Sequence, residues 1–125
     1  MSWFQKPEVE RTTDNGIAVW QLLGDWTRDL PLNLRHQASA ALTKDVPSIL
    51  VLDLSDVKFI DSWGEETICD LLQSVLDADG RVAWTKDPSR SSEYEGLKHA
   101  LERRSLAIEG LPSRAAAVAA VQGTS

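Results

Sequence analysis

Ile49-Leu50-Val51-Leu52-Asp53-Leu54-Ser55-Asp56-Val57-Lys58-Phe59-Ile60-Asp61-Ser62-Trp63-Gly64 decides the fold. Ile49 to Leu54 is an apolar run with the length and character of a buried strand. Ser55 to Ile60 is a short bridge carrying two more apolar residues, Phe59 and Ile60. Asp61-Ser62-Trp63-Gly64 then opens a helix over about 63–78, with Ile68, Leu71, Leu72, Val75 and Leu76 along one face. Free backbone N–H groups and the positive end of the helix dipole converge at such a junction. That makes Ser62 the point where a function is expected.

Upstream, Asp14-Asn15-Gly16 is a turn signal, because Asn-Gly reaches positive φ cheaply. It predicts a hairpin of roughly 8–13 with 16–23. Trp3 and Phe4 either dock on the body or begin an edge strand. Gly24-Asp25-Trp26-Thr27 breaks the second strand, and a helix follows from about Pro31 to Lys44, ended by Asp45-Val46-Pro47. Downstream, Asp79-Gly80 closes the second helix with a glycine cap. Arg81–Thr85 is a short strand, and about 91–104 a helix with Tyr94, Leu97, Ala100 and Leu101 on one face. Ser105–Ile108 is a last short strand, and Pro112–Val121 a closing helix turning Ala115, Val118 and Val121 inward. The residues from Gln122 on fray. Strands alternating with helices imply an α/β domain: a mixed, mostly parallel sheet of four to five strands with about four helices. Residues 1–125 read as a single domain with its core over about 8–121.

Composition excludes several classes of function. A net charge of −6 leaves no basic stripe for nucleic acid and disfavours an anionic membrane surface. No apolar stretch approaches a membrane span or a signal peptide, and the lone Cys69 has no disulfide partner in the chain, so a cytoplasmic setting is expected. His36, Cys69 and His99 are too far apart in sequence to suggest a metal centre, and no Gly-rich phosphate loop or dinucleotide fingerprint occurs. Ser62 has Ile60 where a hydrolase elbow needs glycine. No cofactor and no enzymatic activity are expected. Asp53, Asp56, Asp61, Glu65 and Glu66 read as a solvated acidic rim.

Ser62 itself admits two roles. Ser62-x-x-Glu65 fits a capping box, with Asp61 as the alternative cap. It is also a serine whose phosphate would sit at a helix start and gate association with a partner. Trp63 either folds back on the body or anchors a contact.

The stretch Asp53-Leu54-Ser55-Asp56-Val57-Lys58-Phe59-Ile60-Asp61-Ser62-Trp63-Gly64 resembles the signature of the STAS domain, the fold of anti-sigma factor antagonists and of the cytoplasmic domains of sulfate transporters. Gly24-Asp25, Asp79-Gly80-Arg81-Val82 and the closing helix extend the resemblance over roughly residues 8–121. It implies a non-enzymatic α/β domain that binds a protein partner, a kinase that is also the anti-sigma factor. Ser62 corresponds to the phosphoacceptor and Asp61 to its flanking acid, with Asp61, Ser62, Trp63, Gly64, Glu65 and Glu66 on the partner-binding loop and helix. The chain departs from the antagonist pattern in Glu65-Glu66, which would repel a phosphate on Ser62. Gly24-Asp25-Trp26-Thr27 resembles a second branch, the STAS-like accessories of bacterial ABC phospholipid transporters. That branch implies docking on the transporter ATPase and adds Asp25 and Trp26 to the contact residues. A homodimer is compatible with either branch.

Overall fold

The computed structural model describes residues 4–122. The expectations for Trp3 and for the tail from Gly123 lie outside them. Among the described residues the strands are β1 (Glu8–Asp14), β2 (Ile17–Trp26), β3 (Ile49–Asp53), β4 (Val57–Ile60), β5 (Arg81–Thr85) and β6 (Gly110–Leu111). The helices are α1 (Leu32–Ala41), α2 (Ser62–Asp77), α3 (Glu95–Arg103) and α4 (Arg114–Gln122), with a 3₁₀ segment at Pro88–Tyr94. The sheet order is β1-β2-β3-β5-β6, with β4 beside β2. β1 and β2 form the antiparallel hairpin, and every other pairing is parallel.

Helices cover both faces, which is why the central strands are apolar throughout. Trp20, Leu22, Leu50, Leu52 and Trp84 point into the larger core with α1, α2 and α3. Their alternates Val19, Val51 and Ala83 meet Ala117, Val118 and Val121 of α4 on the other face. Parallel crossovers that step one way along a sheet place their helices on one face, as α1, α2 and α3 are placed.

Several elements differ from those the sequence predicts. β2 does not break at Gly24 but runs on to Trp26 through an irregularity at Gly24/Asp25. That extension creates a partner for Val57–Ile60, so the expected bridge is a sixth strand, β4, in place of four to five. α1 ends at Ala41, before the proline can act, and Asp45 turns the chain with φ 52°. After α2 the left-handed residue is Asp79, φ 61°. Gly80 is needed for a different reason: a Cβ there would meet the Ser48 carbonyl oxygen. Residues 105–108 are not a strand; the pairing is made by Gly110–Leu111. In α4 the inward residues are Ala117, Val118 and Val121, while Ala115 is exposed.

Candidate functional site

The junction is built by hydrogen bonds from two directions. Asp61 is extended (φ −121°, ψ −169°), the conformation of a helix N-cap. Its Oδ1 accepts from the N–H groups of Trp63 (3.0 Å) and Gly64 (3.2 Å), and its Oδ2 accepts from the Arg28 N–H (2.8 Å). The Asp61 N–H in turn donates to the Trp26 carbonyl at 3.4 Å. One carboxylate thus caps α2 and ties it to the turn after β2. The capping box on Ser62 and Glu65 is therefore not formed. Ser62 is already the first helical residue, exposed, and its hydroxyl has no hydrogen-bond partner among the described residues. Asp61→Ala is expected to lower unfolding free energy by about 1–2 kcal/mol and Ser62→Ala by less than about 0.5 kcal/mol, in urea titrations at pH 7. The reverse order would restore Ser62 as the cap.

The two stretches singled out in the sequence lie against each other here. Gly24 has φ 83°, and a Cβ on it would stand 2.2 Å from the Lys6 carbonyl oxygen, so residues 5–6 pass directly over it. Asp25 receives the Gln5 N–H on Oδ2 (3.0 Å) and donates its own N–H to the Gln5 carbonyl (2.9 Å). Trp26 is fully buried and its indole N–H donates to the Leu23 carbonyl. Asp25 and Trp26 accordingly do not present a contact surface; they hold the end of β2 on which α2 is seated. Gly64 is buried against the Trp26 carbonyl.

Around Ser62 the surface is acidic but partly neutralised. Burial pushes the Glu65 carboxyl above its usual value, helped by Asp61 and Glu66 and opposed by Arg103 and His99. Glu66 is held by Arg104 at 2.6 Å and lies 3.8 Å from Arg103. Arg104 also meets Asp70 (2.9 Å) and Gln73 (3.0 Å). Trp63 is half-buried, packed on the main core. Phe59, just ahead of the cap, is 58% exposed. Burial pushes the Cys69 thiol up to about 11, so it is an inert core residue. No group of three or more potential metal ligands occurs among the described residues, and no described helix is long and apolar enough to cross a membrane.

Asp53 is a further correction. It does not belong to a solvated rim but is buried, with Oδ1 accepting from the Ser55 hydroxyl (2.6 Å), the Ser55 N–H (3.0 Å) and the Thr85 hydroxyl (2.7 Å). Oδ2 accepts from Arg114 of α4 at 2.9 Å. Burial opposes its ionisation, but the bonds from Ser55, Arg114 and Thr85 prevail and hold its carboxyl below the ordinary range. Sequence reasoning missed Arg114 altogether. The available signal was one acid inside an apolar strand, which demands a buried donor.

The crystal structure of an anti-sigma factor antagonist from Mycobacterium paratuberculosis superposes with a TM-score of 0.63 over 94% of this chain and 95% of that one, at 20% identity. The chain has the STAS fold. No protein-family model matches the sequence, and no curated protein does. At this identity the likeness is one of architecture.

Proposed function

We propose that this STAS-fold chain is a non-enzymatic regulatory protein of the anti-sigma factor antagonist type, acting in the cytoplasm. It binds a protein partner, a kinase that doubles as an anti-sigma factor, through the Asp61–Glu66 loop and the exposed side of α2. Phosphorylation of Ser62 switches that binding. The observation that carries this reading is the Ser62 hydroxyl: exposed, and without a hydrogen-bond partner among the described residues because Asp61 does the capping. A serine that capped the helix would have to give up a structural bond to be modified, and this one does not. Phe59 offers an apolar contact beside the loop, of the kind that anchors interfaces. The transporter-accessory alternative draws on Gly24-Asp25-Trp26-Thr27, whose glycine lies where residues 5–6 pass over it and whose tryptophan is fully buried.

Mass spectrometry of protein purified from its own cells tests the reading. Phosphate on Ser62, absent from Ser62→Ala, together with a kinase that binds only the unmodified form, is the expected result. Stoichiometric co-purification with a transporter ATPase and no phosphate on Ser62 would overturn it.

A further inference from the structure

We propose that Arg103, at the end of α3, is the intramolecular receiver of a phosphate on Ser62, which it takes over from Glu66. This rests on Ser62 as the phosphoacceptor and adds where the new charge goes. At the start of α2 the Trp63 and Gly64 N–H groups already serve Asp61, which leaves a side-chain cation as the stronger partner for the phosphate.

Glu65 and Glu66 follow Ser62 by three and four residues, so all three line the first turn of α2 with Cβ atoms about 5–6 Å apart. Arg103 reaches both acids: its Nη2 lies 3.8 Å from Glu66 Oε1, and its charge is felt at Glu65. Arg104 is closer to Glu66 but committed, being 21% exposed and bound to Glu66, Asp70 and Gln73 together. The Arg103 side chain is 66% exposed and, among the described residues, has only the long Glu66 pair. A phosphoserine brings nearly two charges and three acceptor oxygens, and a guanidinium binds such a group bidentately. In the exchange Glu66 keeps Arg104 and gives up Arg103. Arg28 lies on the other side of the loop, where its backbone N–H, not its guanidinium, is bound to Asp61. A phosphate turning that way meets a carboxylate fixed by three hydrogen bonds, whereas Glu66 is half exposed and can move aside.

The test places phosphoserine at position 62 of the full chain during translation and follows its second ionisation by ³¹P NMR. The charged groups around it are Asp61, Glu65 and Glu66 from its own loop and helix, Arg28 from the turn after β2, and Arg103, Arg104 and His99 from α3. The measurement uses a His99→Gln background, so that the imidazole felt at Glu65 is absent. Arg103→Gln should raise the phosphate midpoint by about half a unit, the scale of one exposed ion pair. Arg103→Lys should recover part of the shift, Glu66→Gln should lower the midpoint, and Arg28→Gln should leave it in place. An unchanged midpoint in Arg103→Gln, or an equal rise in Arg28→Gln, would overturn the assignment. Because the phosphate is installed without a kinase, failure to find it in cells would sink the role of Ser62 and leave this result standing.

Discussion

Gly64→Ala is expected to destabilise the protein by about 3 kcal/mol, the upper end of the usual cost of overpacking. Intrinsic propensity points the other way, since alanine in a helix is favoured over glycine by up to about 1 kcal/mol. The difference lies in what the methyl group would meet. An ideal Cβ on Gly64 stands 2.1 Å from the Trp26 carbonyl oxygen, 3.1 Å from its carbon and 3.0 Å from Ile60 Cγ1. Two of these atoms are backbone, and Trp26 is fully buried, so nothing yields cheaply. The start of α2 must lift away from β2. That lengthens the Asp61 N–H···O=C Trp26 bond, already 3.4 Å, and pulls Asp61 from the Arg28 N–H. The substitution therefore disorganises the Ser62 loop as well as weakening the fold. Urea unfolding at pH 7 should show the lowered midpoint, with amide shifts concentrated at residues 26–28 and 61–66. Gly16→Ala is the control: its Cβ would meet nothing within 4 Å, so it should cost only the positive-φ penalty of about 1–2 kcal/mol. Equal stability of Gly64→Ala and the parent protein would refute the close approach.

The same contact explains what the sequence could and could not reveal. Period and run length were enough for β3, α2 and β5, because each buries a regular set of apolar side chains whatever its neighbours do. β4 was not legible: Val57–Ile60 is a strand only because β2 continues past Gly24 to pair with it, and Gly24 reads locally as a break. The cap was displaced by one residue for a related reason. Ser62-x-x-Glu65 satisfies the local pattern, but the tie from Asp61 to Trp26 and Arg28, 33 to 35 positions away in sequence, decides which residue stays extended. Burial of Asp25 and Trp26, and the meeting of Arg103 with Glu66, likewise depend on chain packing that no local spacing encodes.

Asp53→Ala should cost about 2–3 kcal/mol at pH 7, the scale of hydrogen bonds to a buried charge. The side chain is 6% exposed and fully used: three bonds from Ser55 and Thr85 on one oxygen, Arg114 on the other. It joins β3 to β5 within the sheet and to the first residue of α4 across it. The loss stays below that of a fully buried ion pair because the Arg114 side chain is 37% exposed and regains water when its partner goes. pH separates this account from simple loss of packing. The folded-state carboxyl lies below its ordinary value, so its ionisation stabilises the fold above the unfolded value of about 3.9. That contribution fades as pH falls through the lower, folded value. The gap between Asp53→Asn and the parent protein should therefore be widest near neutrality and should narrow below pH about 4. Urea titrations at pH 7 and pH 3 measure it. A gap of the same size at both would mean that the carboxylate charge does not hold the cluster. Arg114→Met should reproduce part of the loss. A double-mutant cycle with Asp53→Asn should return a coupling of about 0.5–3 kcal/mol, since the two side chains share one bond and α4 docks through it.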